Sequence, residues 1–257
     1  MTAGQALVHA RSLGVTYKGG IRALANVSFQ IDAGQFVSIV GPSGCGKSTL
    51  LRLIAGLVAP SSGQLSVAGQ NPTAARRRGA KLSFVFQDPT LLPWRTVEGN
   101  VRLPLELRRV ERDKRRARVA AVLELVGLTD FAKRFPNELS GGMRMRVSLA
   151  RALVTEPEML LLDEPFAALD DITRQALNEE LMRLWALRRW TGVFVTHNIA
   201  EAVFLSQRIL VMTPRPGTFA TEVDVPFGIP RRHELRAQGD FARLTGEVSS
   251  WLRRASA

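Results

Sequence analysis

Phe36-Val37-Ser38-Ile39-Val40-Gly41-Pro42-Ser43-Gly44-Cys45-Gly46-Lys47-Ser48-Thr49 decides how the rest of the chain is read. Five strand-forming residues lead into Gly41 to Ser48, which fits the phosphate-loop pattern G-x-x-x-x-G-K-[ST]. Such a turn lets the backbone N–H groups of Gly41, Pro42's neighbours Ser43 and Gly44, Cys45 and Gly46 close around phosphates. The helix starting near Lys47 adds the positive end of its dipole, about half a charge. In this pattern Lys47 reaches the β- and γ-phosphates of a nucleotide and the Ser48 hydroxyl ligates Mg²⁺. Thr49 adds a hydroxyl near the α-phosphate. The competing reading is a glycine-rich turn that matches by chance; a strand before it and a helix after it make that rare.

Two further motifs follow downstream. Met159-Leu160-Leu161-Leu162-Asp163-Glu164 is an apolar strand ending in adjacent carboxylates, whose side chains point to opposite faces or fan out beyond the sheet edge. Beside a phosphate loop, Asp163 is placed to hold Mg²⁺ and Glu164 to polarise an attacking water; alone, the pair reads as a cap or surface salt bridge. Leu139-Ser140-Gly141-Gly142-Met143 opens an Arg-containing amphipathic helix continued by Val147, Leu149, Ala150 and Leu153. Ser140 is a good N-cap, and Gly141 and Gly142 expose backbone N–H groups that attract an anion. A lone Ser-Gly-Gly is otherwise an ordinary helix start.

The 257 residues suffice for one large domain or a domain with a subdomain, and 46% apolar with 23% charged residues is a globular balance. No apolar run reaches the roughly eighteen residues of a membrane-spanning helix. Met1 to Val8 carries neither a basic nor an apolar leader region. Cys45 is the only cysteine, which excludes an internal disulfide and fits a reducing compartment. These features predict a soluble cytoplasmic protein. The net charge of +12 gathers at Arg76-Arg77-Arg78 and from Arg108 to Arg118. Nucleic acid, an anionic membrane leaflet and plain solvated surface all fit such runs. Neither run is interleaved with the aromatic residues that single-stranded nucleic acid would require.

Strand-length runs occur at Leu7–Tyr17, Val27–Ile31, Phe36–Val40, Leu65–Val67, Leu82–Phe86, Met159–Leu162, Val193–Val195, Ile209–Met212 and Thr221–Val225. The early ones follow one another closely and predict an antiparallel β subdomain. The later ones alternate with helices and predict a parallel α/β core. Between Asp88 and Pro157 no strand is expected. There Val119, Val122, Leu123 and Val126 fall at i, i+3, i+4 and i+7, the mark of an inserted helical subdomain. Further helices are predicted over Ile172–Arg188, packing on Leu177, Leu181, Leu184 and Trp185, and over Asp240–Arg253, packing on Phe241, Leu244, Val248, Trp251 and Leu252.

In combination the three motifs resemble the ATP-binding subunits of ABC transporters, from Tyr17 to about Gly217. The resemblance implies an α/β P-loop NTPase core (1–87 with 158–230, including the N-terminal antiparallel β subdomain), an inserted helical subdomain (88–157) and a C-terminal helical tail (231–257). It implies an ATPase using ATP and Mg²⁺. In that family the signature from one subunit caps the γ-phosphate held by the other. Ser140, Gly141 and Gly142 would therefore act on a second copy in a head-to-tail dimer with two shared sites. It further implies that Tyr17 stacks on adenine, that Gln87 senses Mg²⁺ and the attacking water, that Asp170 of Ala168-Leu169-Asp170 contacts the opposite site, and that His197 bonds the γ-phosphate. Met145 stands where many members carry Gln, and Asn198 where Asp is common. Asn198 with Glu201 three residues on still forms a helix start.

A narrower likeness lies in Leu91-Leu92-Pro93-Trp94, Asp163 to Asp170, and Thr213-Pro214-Arg215-Pro216-Gly217. These are similar to the ATPase subunits of the nitrate/sulfonate/taurine/bicarbonate importer group. That likeness implies a membrane permease as partner, indirectly a substrate-binding protein, no nucleic acid, and a position on the inner face of the cell membrane. The stretch from Gly217 to residue 257 is short for the regulatory domain that sugar-importer ATPases append. Leu91, Leu92 and Trp94 either line the groove that receives a permease helix or pack inside the helical subdomain.

Overall fold

The computed structural model describes residues 6–256; Met1 to Gln5, part of the stretch read above for a leader, lie outside them. The chain runs β1 (Ala6–Thr16), β2 (Arg22–Asp32), β3 (Phe36–Val40), α1 (Lys47–Ile54), β4 (Ser62–Val67), α2 (Pro72–Arg77) and β5 (Leu82–Val85). It continues with α3 (Val97–Leu107), α4 (Arg112–Leu125), α5 (Gly141–Leu153), β6 (Met159–Asp163) and α6 (Asp171–Arg188). The last elements are β7 (Thr191–Thr196), α7 (Ile199–Leu205), β8 (Arg208–Met212), β9 (Phe219–Asp224) and α8 (Gly239–Ser256).

A three-stranded antiparallel sheet has the order β2-β1-β4, and a six-stranded sheet the order β5-β6-β7-β3-β8-β9. The fold is α/β with an antiparallel β subdomain, as expected, but two details differ from the sequence reading. The early strands β3 and β5 belong to the parallel sheet, because a strand feeding a helical crossover pairs with strands distant in sequence. The late strand β9 is antiparallel to β8 and edges that sheet, since only Thr213 to Thr218 separates them.

The parallel strands are near-continuous apolar runs because both faces are covered. Their alternate residues divide cleanly. Phe36, Val40, Leu160, Leu162, Phe194, Ile209 and Val211 join the core shared with α3 to α8. Val37, Ile39, Leu161, Val193, Val195, Leu210 and Met212 join the core under α1 and the antiparallel sheet. Trp185 is fully buried with its ring edge-on to Phe36 at 5.8 Å. Each such side chain contributes about 2 to 3 kcal/mol of burial. The stripes read for α4, α6 and α8 face this core.

Helix starts follow capping chemistry. Thr96, Ser140, Asp170 and Asn198 each accept a backbone N–H two or three positions into their helices, at 3.2, 3.2, 2.9 and 3.1 Å. The short α2 was not expected from the sequence; Asn71 caps it and Pro72 sits at its first position. No helix among the described residues is long and apolar enough to cross a membrane.

Candidate functional site

The phosphate turn leaves the C-terminal end of β3 and enters α1 through Gly46, whose φ of 108° is open to glycine. A Cβ there would lie 2.6 Å from Leu24 Cδ2 and 3.0 Å from the Ala23 carbonyl, so the turn is pressed against β2 as well. Lys47 is 4% exposed and folds back, donating from Nζ to the carbonyls of Gly41 at 2.9 Å and Pro42 at 3.0 Å. Glu164 Oε1 lies 3.6 Å from the same nitrogen. Burial pushes the Cys45 thiol up, with the Lys47 charge opposing.

Next along α1, Ser48 Oγ donates to Asp163 Oδ1 at 2.8 Å. Burial raises the Asp163 carboxyl above its ordinary value, against the Ser48 hydrogen bond that lowers it. This hydroxyl and carboxylate are hard oxygen donors suited to Mg²⁺. Among the described residues no group of three or more His, Cys, Asp or Glu gathers as a metal cage. Mg²⁺ commonly completes its shell with phosphate oxygens and water, so the pair fits.

Glu164 leaves β6 with φ 46°, a left-handed conformation that a non-glycine residue rarely holds. Its N–H donates to the Val195 carbonyl at 2.9 Å, which fixes that turn. The side chain thereby escapes the strand alternation and reaches His197, with Oε2 at 2.8 Å from Nδ1. Strain of this kind concentrates at functional positions. The result is one continuous row from Lys47 through Glu164 to His197.

Tyr17 directly follows β1 and is 39% exposed; its hydroxyl is 3.1 Å from Thr49 Oγ1, which ties it to the phosphate turn. Gln87, Ser48, Asp163 and Gly141 line one cleft of about 680 Å³, together with Arg52 and Met145. Ser43 and Gly44 are exposed at the turn's tip and Pro42 is half-buried.

The signature turn is assembled differently. Ser140 is exposed and bonds Met143 N. Gly142 is closed from behind, since a Cβ would fall 2.7 Å from Thr173 Cγ2; one on Gly141 would sit 3.4 Å from Leu169 Cδ2. Asp170 is exposed and caps α6 beside them. Met145 is 2% exposed, so the departure from Gln is accommodated as core. Asn198 caps α7, but Glu201 does not complete a capping box. Its carboxylate accepts from Thr196 Oγ1 at 2.6 Å, and Asn198 N–H goes to that same hydroxyl at 3.0 Å.

Trp94 is 71% exposed, which corrects the alternative that it packs inside the helical subdomain; Leu91 does pack partly against that core. Sequence reasoning missed Arg151, which reaches from α5 to the segment after Gln87. It donates to Pro89 O at 2.7 Å, Thr90 O at 2.8 Å and Thr90 Oγ1 at 3.0 Å. Its only sequence signal is a lone charge within the apolar run Leu149 to Leu153.

Residues 24–167, more than half of the 257, match the family model described as ABC transporter. The chain belongs to the ABC transporter family. It is an ATPase of the kind that family contains, and similar proteins agree. It is 45% identical over 242 residues to the taurine import ATP-binding protein TauB of Rhizobium johnstonii, covering 92% of this chain and 91% of that one. It is 41% identical over 244 residues to the nitrate import ATP-binding protein NrtD of Synechocystis sp., covering 92% and 90%. Among solved structures it resembles the dimeric post-hydrolysis state of the ATP-binding cassette MJ0796 bound to ADP and Pi. That likeness has a TM-score of 0.75 and 35% identity, over 86% of this chain and all of that one.

Proposed function

We propose that this ATPase energises import of a small anion such as taurine, another sulfonate, nitrate or bicarbonate, working as a head-to-tail dimer beneath a membrane permease. The observation that carries the importer reading is the similarity to the taurine and nitrate import proteins across nine-tenths of the chain. ATP lies on the turn from Gly41 to Thr49 with adenine against Tyr17. Its phosphates compete with the Gly41 and Pro42 carbonyls for the Lys47 ammonium. Ser48 and Asp163, with Gln87 nearby, would hold Mg²⁺, which would supply positive charge to offset that of the phosphates.

Glu164 orients the attacking water and takes its proton. His197, already paired to Glu164 at 2.8 Å, steadies that carboxylate and bonds the γ-phosphate. Ser140, Gly141 and Gly142 of a second copy, with Asp170 beside them, close the site. Catalysis is then positioning plus electrostatic stabilisation of an in-line attack. Leu91, Leu92 and the exposed Trp94 meet the permease, and a substrate-binding protein acts through it. The protein thus sits on the cytoplasmic face of the membrane without itself spanning it, and nucleic acid has no part. The division into core (1–87, 158–230), helical subdomain (88–157) and tail (231–257) belongs to the same reading.

The test is reconstitution of the complex with the permease and binding protein encoded beside it. ATP hydrolysis should rise with one of these anions and its binding protein. A complex stimulated by none of them, and by an outward-moving solute instead, overturns the importer reading.

A further inference from the structure

Helix α7 begins two residues after His197 and is only seven residues long, so whatever fixes it also fixes that imidazole. Its N-terminal end is held by the Asn198 cap and by the buried Thr196–Glu201 pair. Its C-terminal end poses a different problem. The last carbonyls of a helix have no partner within it, and Val203, Phe204, Leu205 and Ser206 are all buried away from water.

The partner comes from the tail. Arg231 is 5% exposed, and its Nη1 donates to the carbonyls of Val203 at 3.0 Å, Phe204 at 2.9 Å and Ser206 at 2.8 Å. Its Nη2 donates to Phe227 O at 3.0 Å, in the segment after β9 that leads into the tail, which anchors the guanidinium at the tail's start. Burial lowers its pKa to about 10, so it stays charged at neutral pH. A cation at this end also complements the helix dipole. Arg236 adds a second grip, its guanidinium 4.1 Å from the Phe204 ring.

We infer that Arg231 is a positioning residue for hydrolysis: by capping α7 from the tail it holds His197 against Glu164. This rests on the reading that His197 and Glu164 act in the hydrolytic step. The phosphate turn itself lies between β3 and α1, which Arg231 does not touch, so the grip should weigh on hydrolysis far more than on nucleotide binding.

Arg231→Met keeps the side chain's length while removing the donors. It should lower kcat for ATP on the order of tenfold to a hundredfold with KM and ATP affinity nearly unchanged, as small misplacements of catalytic groups do. Arg231→Lys should recover part of the loss, because one ammonium can serve some of the three carbonyls. Arg236→Ala, which leaves those carbonyls bonded, should give a smaller fall in kcat and is the variant to read if Arg231→Met does not fold. The deciding measurement is a double-mutant cycle with His197→Ala. If Arg231 acts through His197, the double variant is no slower than His197→Ala alone. Additive losses, or a KM that rises with kcat unchanged, overturn the inference. Full activity of His197→Ala by itself would instead strike the underlying reading of the site.

Discussion

The phosphate turn and the signature turn are both glycine-rich helix starts, yet the chain treats them in opposite ways. Around the first, each charged group already has a partner on the same chain: Lys47 with Glu164, Ser48 with Asp163, Glu164 with His197. Around the second, the chain supplies only a backing. Ser140 bonds its own helix, while Thr173 and Leu169 close the rear of Gly142 and Gly141. One turn is completed by charged partners on its own chain; the other presents backbone donors backed by apolar side-chain atoms, with no charged partner drawn to those donors among the described residues.

Four variants sharpen that contrast. The largest effect is expected from Lys47→Ala, which should weaken ATP binding about a hundredfold or more, since charge-assisted bonds to phosphate each contribute roughly 1.5 to 3 kcal/mol. Calorimetric titration with ATP reads this, and unchanged affinity would dissolve the assignment. Glu164→Gln should bind ATP normally but hydrolyse it about a hundredfold more slowly, and should accumulate as a dimer on size exclusion with ATP.

Trp94→Asp comes next in order. It should abolish permease co-purification while leaving ATP binding intact and stability within about 0.5 kcal/mol, as befits an exposed side chain. A collapse of ATP binding would mean that Trp94 supports the core instead.

The smallest effect concerns Glu201, whose carboxyl burial raises above its ordinary value despite Thr196, Arg174 and His197; Arg236 of the tail also faces it. A raised native pKa means that the folded state holds the proton more tightly than the unfolded chain. The resulting stability is full below the ordinary carboxylate range and is lost as pH rises through the raised value. Glu201→Gln removes that loss, so as pH rises from below the ordinary carboxylate range to about 8, wild-type Tm should fall further than the variant's. Parallel Tm curves would show that Glu201 titrates alike in both states.

What the sequence made legible was local. The strand into Gly41, the acidic end of β6, the Ser140 and Asn198 caps and the stripes of α4, α6 and α8 depend on neighbours a few residues away, where periodicity and capping speak directly. Partnerships across the chain were not legible. Nothing near Arg151 points to Pro89 and Thr90, and nothing near Arg231 points to α7, because both arginines answer backbone carbonyls brought near by the fold. Glu201 shows the limit from the other side. Its spacing from Asn198 suited a capping box, but the Thr196 hydroxyl, buried alongside, offered the carboxylate a partner in a place where leaving it unpaired is costly.

The central claim is that each ATP is gripped by the phosphate turn of one copy and the signature turn of another. Mixing two inactive variants tests it most directly: Lys47→Ala, which spoils the first turn, and Gly141→Glu, which sets a carboxylate where the γ-phosphate would be capped. Each alone should retain ATPase activity reduced about a hundredfold. In a mixed dimer the intact phosphate turn of one variant meets the intact signature of the other, so activity should reappear on mixing. A mixture as inactive as its two components would contradict the shared site.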